Sequence, residues 1–145
     1  MYSLNAQPNT PTSQAFVSTA LMTKSASTDL VKSERVSARL AKLSHRAKWV
    51  LFTAQCPRPR PSRLRQLRFT AEHVVHIQAS RLSSEKEIVL KAMQAGNASA
   101  VVASQSISAI DQKHLQQRAK QLGCEVFFID ANSELYLSNG QNQFH

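Results

Sequence analysis

The chain has 145 residues, 42% of them hydrophobic, and 18 Lys+Arg against 9 Asp+Glu give a formal net charge of +9. That length suits one domain with a normal core. The longest apolar runs, about four residues, exclude a membrane-spanning helix, which needs ~20, and no basic region followed by an apolar block marks a secretory leader. Cys56 and Cys124 are the only cysteines, too few for a disulfide framework, and point to a reduced, cytoplasmic setting.

The charge is unevenly placed. Residues 1–70 hold 12 Lys+Arg and 2 Asp+Glu, whereas residues 71–145 hold 6 and 7. The basic character therefore belongs to the first half and suits a polyanion or an acidic protein surface. No aromatic platform accompanies the arginines, which disfavours nucleic acid.

In chain order, residues 1–44 are rich in Ser, Thr, Ala, Asn and Gln and are expected to be disordered or weakly helical. "DLVKSERVSARLAKL" within them places Leu30, Val31, Val36, Leu40 and Leu43 loosely at helical spacing. Residues 45–137 form the expected α/β domain. "WVLFT", "VVHI", "AVVAS" and "CEVFFI" are short apolar segments rich in β-branched or aromatic residues. They start about 25 residues apart, the length of a strand, a crossover helix and two turns, so a mostly parallel sheet flanked by helices is predicted.

The crossovers carry helix signals. Ser84-x-x-Glu87 is a capping box, Ile88, Val89, Ala92 and Met93 form an apolar stripe, and Gly96 stops that helix. Ser108-x-x-Asp111 opens the next helix, and Gly123 ends it. Pro57, Pro59 and Pro61 forbid a regular helix before Ser62, after which a short basic helix to Phe69 fits. "ANSELYLSNG" predicts an edge strand at Glu134–Ser138. Residues 138–145 read as a flexible C-terminal tail.

Catalytic and ligand motifs are sparse. No Gly-x-x-x-x-Gly-Lys run occurs, and the first strand is followed by "AQCPRPRP", where prolines remove the amides a phosphate needs. The expected domain thus lacks a phosphate-binding loop, and ATPase or GTPase activity is disfavoured. His73 and His76 stand three apart on a strand and face opposite ways. Cys56 lies beside a basic loop without a nearby His–acid pair, and no paired carboxylates stand out. No enzyme, cofactor or metal site is expected.

From Lys48 to Asp130 the chain resembles the SulA family of bacterial cell-division inhibitors. The resemblance lies in "KWVLFT", in "VVHIQASRLSSEKEIVLKAMQAGNASAVVAS", in the opening Met1-Tyr2 and in the closing "QNQFH". It implies a RecA-like α/β core that has lost nucleotide binding and acts by binding rather than catalysis. The implied partner is FtsZ, the tubulin-like division protein, whose polymerisation and septum formation are blocked during the SOS response to DNA damage. Removal by the Lon protease and a homodimeric state are also implied.

Carried over by position, the FtsZ-binding segment falls on Ala92, Met93, Gln94, Ala95, Gly96, Asn97 and Ala98. A basic rim is expected from Lys91, Arg63 or Arg65. The protease-recognition tail falls on Ser138, Asn139, Gly140, Gln141, Asn142, Gln143, Phe144 and His145. Gln94 stands where relatives can carry an arginine, and Ala98 where they can carry an aromatic. The alternatives are a DNA-associated RecA-like protein without ATPase activity, using the arginines of 58–68, and an enzyme built around Cys56.

Overall fold

The structure, a computed structural model, describes residues 25–137, with side chains from residue 35 onward. The expectations for residues 1–24 and for the tail, 138–145, lie outside the described residues.

Helix α1, Ser25–Ser44, contains the loosely periodic piece "DLVKSERVSARLAKL" and extends beyond it at both ends. The packed unit begins at Arg35 within it. Leu40, Ala41 and Leu43 are buried there, with Val36 packed against the same cluster. Positions 36, 40 and 43 follow the i, i+4, i+7 rhythm of one helix face, so this last part of the serine-rich segment is core. Each fully buried leucine contributes about 1.5–3 kcal/mol of transfer free energy.

Four strands follow: β1 Trp49–Phe52, β2 Val74–His76, β3 Ala98–Ser104 and β4 Glu125–Ile129. They pair side by side in the order β2-β1-β3-β4, all parallel. Between them run α2 (Pro61–Gln66), α3 (Glu85–Gln94) and α4 (Ala109–Leu122). Going from β1 to β2 the chain moves one way across the sheet, and from β2 to β3 and on to β4 it moves the other way. Right-handed crossovers then require α2 on one face and α3 and α4 on the opposite face.

Burial shows that division. Leu64 of α2 packs with Val50, Phe52, Ala100 and Val102, and the end of α1 joins them. Val89 and Met93 of α3 and Leu115 and Ala119 of α4 pack with Val101, Ala103 and Val126. Alternate residues of β3 thus feed opposite cores, and Ala100 through Ala103 are all fully buried. This is the continuous apolar strand of a sheet covered on both faces.

The expected helix ends are present. Ser84 Oγ accepts from the Glu87 N–H (3.2 Å) while Glu87 Oε1 accepts from the Ser84 N–H (2.8 Å), completing the capping box. That contact holds the Glu87 carboxyl below the usual carboxylate range. Ser108 caps α4 at Asp111, and Lys86 ties the starts of α3 and α4 through Asp111 at 2.9 Å. Gly96 and Gly123 take φ values of +80° and +70°, the left-handed conformation that glycine adopts without a Cβ clash.

One expected element is corrected. Residues 134–136 form a 3₁₀ turn, not an edge strand. Ser133 caps the turn, the fully buried Leu135 enters the core shared by α1 and α2, and the Glu134 carbonyl accepts from Arg63. The short apolar run in "ELYL" suggested a strand, but packing of Leu135 against a helical layer outweighs strand propensity.

Candidate functional site

The segment from Ala92 to Ala98 closes α3 and enters β3. Met93 and Ala98 are buried in the α3/α4 core and Ala92 is half-buried, whereas Gln94, Ala95, Gly96 and Asn97 are exposed. The turn is held from inside: the Ala95 N–H donates to the Lys91 carbonyl (3.0 Å) and the Gly96 N–H to the Met93 carbonyl (3.3 Å). A partner can therefore reach four of the seven positions, and Met93 and Ala98 act as the anchor beneath them.

Sequence reasoning missed the neighbour of this turn. The Trp49 N–H donates to the Asn97 carbonyl (3.0 Å), and Trp49 pairs with Ala98 in the sheet. The register then slips, with Val50 opposite Ala100, so Ser99 is an extra residue in β3. The Ser99 hydroxyl lies 3.1 Å from the Leu43 carbonyl and 3.3 Å from that of Trp49, which ties the end of α1 to the starts of β1 and β3. Trp49 remains 40% exposed, with its ring edge-on to His73 at 6.0 Å. His73 is oriented by Ser44, whose carbonyl lies 2.7 Å from Nδ1. Arg46 and Lys48 are exposed in the same short connection. Trp49 was visible as the first residue of a strand, but nothing local in sequence pairs position 49 with position 97.

The expected basic rim is divided by the sheet. Lys91 is on α3 itself, exposed, with Nζ 3.4 Å from Ser83 Oγ. Arg63 and Arg65 are on α2, across the sheet from α3. The Arg63 guanidinium donates twice to the Glu134 carbonyl (3.0 and 2.9 Å) and once to Gln66 Oε1 (3.1 Å), so it clamps the 3₁₀ turn. Arg65 is exposed on that same face.

The opposite end of the sheet holds the residues first weighed as catalytic. Burial pushes the Cys56 thiol up from its ordinary range, since Cys56 is only 2% exposed. His76 Nε2 lies 2.8 Å from the Cys56 carbonyl, a backbone contact and not a thiol–imidazole pair. Among the described residues no group of three or more His, Cys, Asp or Glu could hold a metal, and no helix is long and apolar enough to cross a membrane.

No family model and no curated protein matches the chain. A solved structure does: SulA from Pseudomonas aeruginosa aligns with a TM-score of 0.51 and 21% sequence identity, covering 66% of this chain and 82% of that one. The chain has a SulA-like fold. The SulA resemblance read from "KWVLFT" and "AGN" is thus matched in three dimensions, at the level of the fold. Within the candidate segment Ala92–Ala98 the exposed part is the turn Gln94–Asn97, whose Asn97 carbonyl accepts from the Trp49 N–H.

Proposed function

We propose that this chain is a SulA-like cell-division inhibitor that binds FtsZ and keeps its subunits from polymerising. The observation that carries the proposal is the SulA-like fold, within which the turn at the end of α3 is exposed beside a partly exposed tryptophan. A tryptophan flanked by polar and cationic residues has the composition of a binding hot spot with a charged rim. The turn and Trp49, with Arg46 and Lys48 in the connection before β1 and Lys91 on the exposed side of α3, form the proposed contact. Arg63, engaged by Glu134 on the other face of the sheet, is left out of it.

The action proposed is binding and not catalysis. The β1–α2 loop carries Pro57 and Pro59 ahead of Pro61 and has no glycine, so it offers few amides to a phosphate. We therefore propose a RecA-like core without nucleotide binding. Synthesis during the SOS response, a cytoplasmic location, a homodimeric state and removal by Lon through residues 138–145 complete the proposal; they rest on the family resemblance. Sedimentation of FtsZ polymers with and without this protein tests it.

A further inference from the structure

In an open α/β sheet, ligands settle at the carboxyl ends of the strands where the direction of travel reverses. Here that point lies between β1, from which the chain leaves toward β2, and β3, from which it leaves toward β4. The chain itself fills the place. Glu85, the first residue of α3, is buried, with 9% exposure. Its Oε2 accepts from the Thr53 hydroxyl (2.6 Å), immediately after β1, and from the Ser104 backbone N–H (2.8 Å), at the end of β3.

A hydroxyl and a backbone amide converging on one oxygen, at the carboxyl ends of two parallel strands, make up the kind of donor set that such folds turn toward phosphate. The neighbouring loop has one amide directed elsewhere and two positions without an amide. The Cys56 N–H, in the turn after β1, donates to the Thr53 carbonyl (3.1 Å), and Pro57 and Pro59 have no N–H to give. Among the described residues no cation forms an ion pair with Glu85. A buried carboxylate costs free energy unless its hydrogen bonds are good, and removing it takes the acceptor from the Ser104 amide and leaves the Thr53 hydroxyl only its longer contact with Cys56 Sγ (3.5 Å).

We propose that Glu85 is a resident anion: its carboxylate stands where a ligand's phosphate would otherwise sit, pins the start of α3 to β1 and β3, and closes the crevice to phosphorylated ligands. This rests on the proposal that the chain binds no nucleotide, and gives that absence a physical cause. Both donors reach the same carboxylate oxygen, so a glutamine at this position can keep both hydrogen bonds, whereas an alanine leaves an unfilled anion site.

The test compares the full-length parent with Glu85→Ala and Glu85→Gln. Each is melted in chloride and in inorganic phosphate at matched ionic strength, and ATP binding to the parent is measured by calorimetry. Glu85→Ala is expected to melt below the parent in chloride and to gain several degrees more from phosphate than the parent does. Glu85→Gln is expected to respond to phosphate as the parent does. If Glu85→Ala is unfolded in chloride, folding on addition of phosphate, followed by circular dichroism, reads the same effect. A Glu85→Ala chain that gains no more than the parent, or that stays unfolded in both salts, overturns the Glu85 inference while leaving the nucleotide-free function intact. Micromolar ATP binding by the parent overturns the nucleotide-free function itself.

Discussion

The Trp49 N–H and the Asn97 carbonyl are joined at 3.0 Å, which brings the backbone at the start of β1 against the turn that follows α3. Their sequence separation hides this, and the parallel pairing of β1 with β3, Trp49 opposite Ala98, accompanies it. The proposed contact with FtsZ therefore has an aromatic group that the linear segment 92–98 lacks.

Trp49→Ala should weaken inhibition of FtsZ polymerisation by about 30-fold, the loss of one hot-spot residue at about 2 kcal/mol. Thermal stability should change far less, since the indole is 40% exposed. Titrating the variant against FtsZ polymers, beside a melting curve, separates the two effects. Unchanged inhibition removes Trp49 from the contact.

Gln94→Glu and Lys91→Glu should each weaken inhibition while leaving the helix intact, because both side chains are exposed and neither supports the core. Replacing Met93 or Gly96 would test folding instead, as Met93 is buried and Gly96 has a positive φ. Folded variants carrying these added negative charges that both inhibit as well as the parent would place the contact elsewhere.

Much of the fold was legible because its signals are local. The four strand segments, the Ser84–Glu87 box and the glycine stops at 96 and 123 are short-range patterns, and each appears in the structure. Other features depend on partners far away in the chain. Leu40 and Leu43 looked too thinly spaced for a core until the sheet supplied a surface for them. Residues 134–136 have the composition of a short strand, yet Leu135 joins the core shared by α1 and α2. The candidate turn was legible as a helix stop, but Trp49 and Glu85 gained their positions from β-pairing and crossover handedness, which no local pattern encodes.

Leu43→Ala should destabilise the protein by about 2–5 kcal/mol, the usual cost of emptying a fully buried leucine site. Lys42→Ala, one residue away and exposed, should stay within about 0.5 kcal/mol. Urea unfolding of both variants measures the contrast. Equal midpoints would show that the end of α1 is not part of the core.

Both thiols should be unreactive toward a disulfide reagent at pH 8 until the protein unfolds, because burial pushes Cys56 and Cys124 above the ordinary thiol range. The sign for stability follows from these raised values. The folded state holds its thiol protons more tightly than the unfolded state, so this contribution is fully present below the unfolded pKa of about 8.5. It is lost as pH rises from there through the folded values. Melting temperatures of the parent should fall at alkaline pH more steeply than those of a Cys56→Ser, Cys124→Ser chain. Parallel curves would contradict the assignment.

Removing Phe144 and His145 should lengthen the lifetime of the protein in cells that contain Lon, without altering inhibition of FtsZ. Pulse-chase measurement of the two forms checks this, and identical decay would leave the tail without a role in removal.

The most direct measurement is the amount of FtsZ that sediments as polymer in GTP when this protein is added in increasing proportion. The proposed function predicts that the pelleted fraction falls with dose and is largely abolished once the inhibitor is in excess, with Trp49→Ala and Gln94→Glu shifting the curve to higher concentrations. A pellet that stays constant at every dose of the folded parent chain contradicts it.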